Sequence, residues 1–446
     1  MPLETIYTEQ YRPQFHFTAR TNWLNDPNGC VFYDGEYHLF FQHNPTGLEW
    51  GNMTWGHAVS GDLIHWHQLP HALLPYGDGT IFSGSAVVDS ANGSGLGSGS
   101  TGPLIATFTH ARKPFGQAIA SSTDRGRTWQ LYAAGQHAVP NQGLAEDERD
   151  PKIFWHAASR HWIMVLWVCR NQIRFFKSAD LLKWHATSDF VGDGFYECPD
   201  IFPLPVDGNR NDIKWILADA AFHYWVGDFD GQSFTAQEGP LRGDFGANFY
   251  AAQTWNNTEP RVVQIGWMRE GQYPGMPFNQ QMSFPCELSL IKTPGGLRLC
   301  RMPVAEIQSL FVRSDSITNH RLNSGVELRI GSPGACFDID AVVETSPGAT
   351  FEIRFYDQAV VYADKQIHYL GSSAPVEPAD GVLRLRILID RTSVEIFGDS
   401  GAVCLSSCYL PIERSTIMRC FTKTGPVQIH NFVVRHLASA WAPPEN

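Results

Sequence analysis

Residues 37–66 read YHLFFQHNPTGLEWGNMTWGHAVSGDLIHW and contain the two elements of a repeat that runs through the first two thirds of the chain. The first element is a run of strong strand formers, and its copies recur at intervals of about 50–65 residues. These copies are Tyr37–Gln42, Pro103–Thr109, His161–Val168, Lys214–Leu217 and Arg261–Met268. The second element is Ser, then Asp two residues on, then Trp, at Ser60-Asp62-Trp66, Ser122-Asp124-Trp129 and Ser178-Asp180-Trp184.

The repeat predicts an all-β protein that begins with a five-bladed β-propeller. Short runs of Val, Ile, Phe, Trp and Tyr alternate with Gly, Pro, Asn and Asp, which is typical of strands and turns. A propeller blade of four strands needs about 40–50 residues, and insertions lengthen it. We therefore expect the propeller to occupy residues 1–305, with each Ser-Asp-Trp motif forming an outer turn. A generic domain of several β-sheets is the alternative at this stage.

The character of the chain changes after the propeller. Residues 382–390 read VLRLRILID, in which apolar residues alternate with arginine as in a strand with one buried face. Short strands of this kind predict a C-terminal β-sandwich over residues 321–446. Residues 306–320 are expected to form a linker, and helical spacing over Pro303–Val312 predicts a helix at its start. We expect the sandwich to stabilise the propeller or to mediate a homodimer.

The composition excludes several classes of protein. The 446 residues carry a formal net charge of −12, with 17% charged and 13% aromatic residues. A disordered chain, a coiled coil and collagen all have different compositions. An acidic chain without a run of Lys and Arg predicts no nucleic-acid partner. No apolar stretch reaches the roughly 18 residues that a membrane-spanning helix needs, so no membrane partner is expected.

The N-terminus and the cysteines bear on the cellular location. Residues 1–17, MPLETIYTEQYRPQFHF, contain no basic segment followed by an apolar one, so no secretory signal is visible. The nine cysteines are widely spread and odd in number, which is typical of reduced thiols. We therefore expect a cytoplasmic protein, or a secreted one if a leader has been removed.

Acidic residues occupy a similar place in three of the repeats. Asp26 and Asp150 each lie 11 residues before a strand run, and Asp200 lies 14 residues before one, with Glu197 close by. Equivalent positions in a propeller are related by rotation about one axis, so these carboxylates would converge on the central funnel. Converging carboxylates raise one another's pKa, and glycoside hydrolysis uses one ionised and one protonated carboxyl group. Because Asp26 and Asp150 precede proline, solvated turn carboxylates are the alternative.

The acids belong to longer motifs. The chain carries WLNDPNG at residues 23–29, Arg149-Asp150-Pro151, Glu197-Cys198-Pro199 and Phe82-Ser83-Gly84. Further motifs are Phe41-Gln42-His43-Asn44-Pro45, Trp50-Gly51-Asn52, Trp55-Gly56-His57, Ile265-Gly266-Trp267, Leu388-Ile389-Asp390-Arg391 and Ser393-Val394-Glu395-Ile396-Phe397. In this order, they resemble the marker motifs of glycoside hydrolase family 32, which contains invertases, inulinases, levanases and sucrose-6-phosphate hydrolases. The resemblance spans nearly the whole chain.

This resemblance implies a five-bladed propeller, a β-sandwich and a retaining β-fructofuranosidase that forms a covalent fructosyl-enzyme intermediate. By motif position, Asp26 is the nucleophile, Glu197 the general acid and then the general base, and Asp150 the transition-state stabiliser. The other residues expected to line the substrate pocket supply hydrogen bonds or apolar walls: Asn25, Gln42, Trp50, Phe82, Ser83, Arg149, Cys198 and Trp267. No metal and no cofactor are expected.

The expected substrates are sucrose, fructo-oligosaccharides and fructans, from which terminal β-D-fructofuranosyl units would be released. A fructosyltransferase and an inverting furanosidase on the same propeller are alternatives. A carbohydrate-binding protein without turnover is a third alternative, against which the presence of all three acids argues. The chain departs from the family pattern at Asn248, where an Asp is expected, and this difference concerns contacts to the leaving group.

Overall fold

A computed structural model describes residues 7–98, 102–378 and 380–441. Nearly all regular structure in these residues is β-strand, and the helical segments found there are short 3₁₀ turns at Tyr132–Gly135, Ala305–Leu310 and Asp399–Gly401. Within the same ranges, no helix is long and apolar enough to cross a membrane. The predicted all-β class is confirmed, and the helix predicted over Pro303–Val312 is the second of these turns.

The first part of the chain folds into successive antiparallel meanders, each of which runs from a buried first strand to a more exposed last strand. The first meander contains β1 (Asn22–Tyr33), β2 (Glu36–Asn44), β3 (Thr54–Ser60) and β4 (Trp66–Leu73). The second contains β5 (Thr80–Val88), β6 (Leu104–Ala111), β7 (Gly116–Ser122) and β8 (Gln130–Leu131). The third contains β9 (Arg149–His156), β10 (His161–Cys169), β11 (Gln172–Ser178) and β12 (His185–Val191). The fourth contains β13 (Asp200–Val206), β14 (Asn209–Ala218), β15 (His223–Phe229) and β16 (Phe234–Arg242).

The next strands complete a ring. Side by side lie β17 (Tyr250–Thr254), β18 (Val263–Trp267), β20 (Cys286–Thr293) and β21 (Gly296–Pro303), and β20 also touches β13. Between them in sequence, β19 (Phe278–Asn279) pairs in parallel with β1, so the end of the domain is hydrogen-bonded to its beginning. This closure is that of a propeller. Because β13–β16 share one sheet with β17, β18, β20 and β21, the count of five blades stays a prediction.

The Ser-Asp-Trp motifs form the predicted outer turns. In the turn between β3 and β4, Asp62 accepts hydrogen bonds from the Ser60 hydroxyl at 3.0 Å and from the His65 amide at 2.8 Å. The Trp66 indole donates to the Leu63 carbonyl at 3.0 Å. A short Asp side chain that binds backbone amides two or three residues on is a common way to stabilise a turn.

A buried ion pair ties together three strands of the ring, β9, β13 and β17. The Lys152 ammonium on β9 lies 2.8 Å from an Asp200 carboxylate oxygen on β13 and donates to the Thr254 carbonyl on β17 at 2.8 Å. The Thr254 amide in turn donates to Asp200 at 2.7 Å. All the charge in this cluster is therefore paired, which a buried ammonium requires.

The C-terminal domain consists of two packed sheets, which confirms the predicted sandwich. One sheet has the order β22 (Phe311–Leu322), β33 (Val427–Leu437), β24 (Phe337–Thr345), β29 (Val382–Ile389), β30 (Ser393–Gly398) and β31 (Val403–Cys408). The other has the order β23 (Glu327–Gly334), β32 (Thr416–Phe421), β25 (Phe351–Phe355), β26 (Gln358–Ala363), β27 (Gln366–Tyr369) and β28 (Ser372–Pro375). The alternation read in VLRLRILID is that of β29, whose Leu383, Leu385 and Ile387 are buried.

The predicted linker over residues 306–320 is wrong. Strand β22 begins at Phe311 and pairs along its whole length with β33, so the sandwich starts before residue 321. Most side chains of β22 are exposed or half-buried because it is an edge strand. Its sequence, FVRSDSITNHRL, therefore lacks the apolar alternation that marks a strand.

A buried ionic cluster joins the two domains. His16, in the segment before β1, contacts Asp390 through Nδ1 and Glu395 through Nε2, each at 2.9 Å, and all three side chains are inaccessible to solvent. Asp390 also accepts from the amides of Gln14 and Phe15 at 2.8 and 2.9 Å. The motifs that contain Asp390 and Glu395 therefore hold the N-terminal segment and the sandwich together.

Because of this cluster, the protein should lose stability as the pH becomes alkaline. Burial lowers the pKa of His16, but its bonds to Asp390 and Glu395 more than offset this and raise the pKa from 6.5 to about 9. A raised pKa means that the stabilisation is complete below pH 6.5 and is lost as the pH rises through about 9. Between pH 7 and 10, we expect the Tm of the wild type to fall further than that of the His16→Gln variant. Equal falls in both proteins would contradict this.

Candidate active site

Three acidic side chains, each on or just before the first strand of a different meander, meet in one cleft. Asp26 lies on β1, Asp150 is the second residue of β9, and Glu197 lies three residues before β13 begins. All three line a cavity of about 490 Å³. The propeller therefore brings together the three residues predicted to be catalytic, although more than 120 residues separate the first from the second.

Asp26 is held by side chains on either side of its carboxyl group. The Ser83 hydroxyl donates to Oδ2 at 2.6 Å, and the Asn25 amide donates to Oδ1 at 3.0 Å. Burial raises the pKa of Asp26, the bond from Ser83 opposes this, and the nearby charge of Glu197 adds to it. The net effect is a raised pKa, while the two donors fix the orientation of the carboxylate.

Asp150 lies deeper and is almost fully buried. Its Oδ2 accepts from the Cys198 amide at 3.1 Å and lies 3.8 Å from Nε of Arg149. Burial raises the pKa of Asp150, Arg149 lowers it, and Glu197 and Asp26 raise it further, to about 7 overall. Like charges gathered in a poorly solvated site are the physical reason for this shift.

Glu197 is held by two donors on different oxygens. Arg149 donates to Oε2 from Nη2 at 2.9 Å, and the Tyr250 hydroxyl donates to Oε1 at 2.5 Å. Arg149 is itself held by Asp147, 2.7 Å from Nη1, and lies 4.3 Å over the Trp167 ring. These contacts leave the carboxyl group of Glu197 little freedom to rotate.

Cys198 fills the space beneath two of the acids. Its Sγ lies 3.6 Å from Asp26 Oδ2 and 3.4 Å from Asp150 Oδ2. Burial raises the pKa of the Cys198 thiol well above its usual value, and the charges of Asp150 and Asp26 raise it further. The side chain therefore remains a neutral thiol that can donate to one carboxylate or the other, and it is not a thiolate nucleophile.

The backbone at the acids is strained. Asp150, Glu197 and Cys198 have φ values of 66°, 40° and 42°, a region that residues other than glycine rarely adopt. Such positions cost on the order of 1–3 kcal/mol each and persist only where the surrounding structure enforces them. Here the strain turns Glu197 toward the cleft and aims the Cys198 amide at Asp150.

The other residues predicted to bind the substrate lie around the acids. Asn25, Gln42, Trp50, Phe82, Ser83, Arg149 and Trp267 line the cleft, and Cys198 lies at its base. The Trp50 side chain is 58% exposed and meets the Phe82 ring edge-on at 5.8 Å. The Trp267 indole donates to the side-chain oxygen of Gln280 at 2.9 Å.

Sequence reasoning missed six residues that also line the cleft: Lys113, Phe115, Asp147, Tyr196, Tyr250 and Arg269. Three of them stand next to recognised motifs: Tyr196 precedes Glu197, Asp147 lies two residues before Arg149, and Arg269 lies two residues after Trp267. Tyr250 becomes a neighbour of the site only through the fold. Its ring lies 4.6 Å from the Arg269 guanidinium.

The repeat phase singled out Asp200 together with Glu197, but Asp200 does not face the cleft. Its carboxylate is buried against the Lys152 ammonium. Glu197, three residues earlier, takes the place in the cleft. The spacing within the repeat thus located the start of β13 correctly, but it did not distinguish which of the two carboxylates, Glu197 or Asp200, lies in the site.

Comparison with known proteins agrees with this geometry. Residues 16–303 match the glycosyl hydrolases family 32 N-terminal domain, and residues 357–436 match the glycosyl hydrolases family 32 C terminal domain. The chain belongs to glycoside hydrolase family 32. It is therefore a glycosidase, and the cleft that holds the three acids is its candidate active site.

Relatives of this family 32 glycosidase cover nearly its whole length. A levanase of Bacillus subtilis (strain 168) is 38% identical, over 98% of this chain and 72% of the relative. The extracellular exo-inulinase inuE of Aspergillus ficuum is 32% identical, over 98% of this chain and 96% of the relative. The crystal structure of an exo-inulinase from Aspergillus awamori superposes with a TM-score of 0.88 at 30% identity, covering 98% of this chain and 100% of the other.

Replacing Ser83 should shift the acidic limb of the activity profile. The Ser83 hydroxyl lowers the pKa of Asp26, because it donates to the ionised carboxylate. In a Ser83→Ala variant, the pKa of Asp26 should rise, so the acidic limb of kcat/KM should move to higher pH by about one unit. The measurement is the pH dependence of kcat/KM for both proteins. A limb that stays in place or moves to lower pH would contradict this role.

Neutralising Asp150 should stabilise the protein at alkaline pH. A carboxyl group whose pKa is raised from 3.8 to about 7 binds more protons in the folded state, so stability falls as the pH rises through this range. At pH 8 we expect Asp150→Asn to raise the Tm by about 2–4 °C and at pH 4 to leave it nearly unchanged.

The matched control for this prediction is Asp200→Asn. This variant also removes a buried carboxylate, but it leaves the Lys152 ammonium without its partner. It should therefore lower the Tm at pH 8. The prediction fails if Asp150→Asn destabilises the protein at pH 8 as Asp200→Asn does.

Proposed function

We propose that the protein is a retaining β-fructofuranosidase that releases terminal fructosyl units from sucrose, fructo-oligosaccharides and fructans. The observation that carries this proposal is the meeting of Asp26, Asp150 and Glu197 in one cleft, each with partners that fix its carboxyl group. Retaining hydrolysis of a furanoside needs an enzyme nucleophile on one face of the anomeric carbon and a proton donor at the departing oxygen. Asp26 and Glu197 supply these two functions.

In the first step, an Asp26 carboxylate oxygen attacks the anomeric carbon, C2, of the fructosyl unit. The bond from C2 to the glycosidic oxygen breaks, and the proton of the Glu197 carboxyl group passes to that oxygen. The remaining sugar leaves as a neutral alcohol. The product is a fructosyl ester of Asp26, and the transition state carries positive charge that the Asp150 carboxylate stabilises.

In the second step, water attacks C2 from the side that the leaving sugar vacated. Glu197, now a carboxylate, takes the proton of the water, and the ester bond to Asp26 breaks. The net reaction consumes one water and regenerates both carboxyl groups. A sugar hydroxyl that replaces water at this step would transfer the fructosyl unit, so a fructosyltransferase is the second candidate function.

The pocket and the relatives both support a fructoside as substrate. The donors and acceptors of Asn25, Gln42 and Arg149 suit sugar hydroxyls, and the Trp50, Phe82 and Trp267 rings suit the apolar faces of sugar rings. The relatives include a levanase and exo-inulinases, and a variant of a fructofuranosidase of Schwanniomyces occidentalis has been solved with fructosylnystose. The last structure has a TM-score of 0.88 at 27% identity.

Two further expectations concern the protein in the cell. All nine cysteines lie within the described residues and are free thiols, which supports the expected cytoplasmic location. The extracellular exo-inulinase among the relatives points the other way. Location and a homodimer both stay predictions.

Removing either catalytic carboxyl group should abolish sugar release. We expect Asp26→Ala and Glu197→Gln to lower kcat on sucrose, inulin and levan by at least about 1000-fold. The matched control is Asp62→Asn. Asp62 lies in the outer turn between β3 and β4 and does not line the cleft, so this variant should keep kcat within about twofold of the wild type. Release of fructose by Asp26→Ala at the wild-type rate would remove the nucleophile from the mechanism.

The same substrates distinguish the alternative mechanisms. NMR of the first fructose released should show the β-furanose, which is the retained anomer. Early release of the α-anomer would overturn retention and favour the inverting furanosidase. Products longer than the starting sugar at high sucrose concentration would identify the transferase.

A further inference from the structure

The edge of the sandwich sheet is covered by a segment of the propeller domain. Strand β31 pairs with β30 on one side only. On its other side, the Phe245 amide donates to the Cys404 carbonyl at 2.7 Å, and the Asn248 amide nitrogen of the main chain donates to the Ser406 carbonyl at 3.0 Å. Residues 245–248 therefore extend the sandwich sheet in the manner of an added strand.

Two further contacts strengthen this junction between residues 244–248 and β31, which we call the seam. Asp244 accepts from the Ser406 amide at 3.1 Å and from the Ser406 hydroxyl at 2.8 Å. At Gly246 a Cβ atom would come within 2.1 Å of the Ser406 carbonyl oxygen, so the two backbones touch and only glycine fits. The position of residues 244–248 is thus set by the sandwich.

The side chain of Asn248 joins this seam to the wall of the active site. Its Oδ1 accepts from the Cys408 amide of β31 at 2.8 Å. Its Nδ2 donates to the carbonyl oxygen of Arg269 at 2.5 Å. The amide group thus serves as acceptor toward the sandwich and as donor toward the propeller, although Asn248 itself does not line the cleft.

Both neighbours of Asn248 on the propeller side do line the cleft. Tyr250 follows two residues later and donates to Glu197 at 2.5 Å. Arg269, whose carbonyl Asn248 holds, places its guanidinium 4.6 Å over the Tyr250 ring. A continuous path of contacts therefore runs from β31 through Asn248 to the carboxyl group of Glu197.

We propose that Asn248 is a positioning residue through which the edge strand of the sandwich holds Tyr250 and Arg269, and so orients Glu197 toward the departing sugar. This rests on the proposed role of Glu197 as proton donor. It gives the sandwich a part in the chemistry beyond stabilising the propeller. Its consequence is specific: loosening this path impairs proton delivery to the leaving group and spares the attack by Asp26.

Two substrates separate these effects. The sugar oxygen that departs from sucrose needs a proton from Glu197, whereas fluoride leaves β-D-fructofuranosyl fluoride without one. In Asn248→Ala, which removes two hydrogen bonds, we expect kcat on sucrose to fall about tenfold. The kcat/KM on the fluoride, which reports the first step and not the second step in which Glu197 acts as a base, should stay within about twofold of the wild type, and KM for sucrose should change little.

The matched control is Arg391→Ala. It removes one hydrogen bond between the sandwich and the N-terminal segment, from the Arg391 guanidinium to the Glu9 carbonyl at 3.3 Å, and neither residue lines the cleft. It should lower the Tm but leave the ratio of the two rates unchanged. Equal losses on sucrose and fluoride in Asn248→Ala would show a merely structural role and overturn the proposal.

A second variant tests the path without disturbing the seam. The Arg269 side chain is 45% exposed, and Arg269→Ala leaves every hydrogen bond between the domains in place. We expect the same selective loss of kcat on sucrose. A loss confined to KM would mean that Arg269 only binds the leaving sugar, and would overturn this path. A wild-type protein that acts on neither substrate would overturn the proposed function itself, and this inference with it.

Discussion

The candidate active site depends on a buried ammonium group that holds together three strands of the ring, β9, β13 and β17. Lys152 binds Asp200 and Thr254, and each of these three residues lies on a different strand shortly after a residue of the cleft. Asp150 precedes Lys152 by two residues, and Glu197 precedes Asp200 by three. Breaking a buried ion pair costs about 3–5 kcal/mol, so the strand ends are held firmly although the carboxylates above them repel one another.

That repulsion is the electrostatic cost of the site. Burial and mutual proximity raise the pKa of Asp26 and Asp150, and the Arg149 guanidinium offsets only part of the effect on Asp150. The strained backbone at Asp150 and Glu197 adds to this cost. A cleft that is unfavourable when empty is favourable for a transition state that brings positive charge between the carboxylates, because the same field then becomes attractive.

The two domains form one structure because each completes the other. The sandwich supplies Asp390 and Glu395 to a buried histidine of the N-terminal segment, and the propeller supplies a strand-like segment to the edge strand β31. An uncovered edge strand tends to pair with other chains. Because the covering segment leads directly into Tyr250, the interface between the domains is also a support of the active site.

The sequence by itself determined the strands, the sandwich and the three acids, because apolar alternation, turn residues and the family motifs are local patterns. It misplaced the start of the sandwich, because the edge strand β22 is too exposed to show such a pattern. Only the tertiary structure decided that Asp200 is buried against Lys152 and does not face the cleft, and that Asn248 joins the sandwich to Arg269. These outcomes depend on backbone strain and on bonds between residues far apart in the chain, and neither leaves a periodic trace in the sequence.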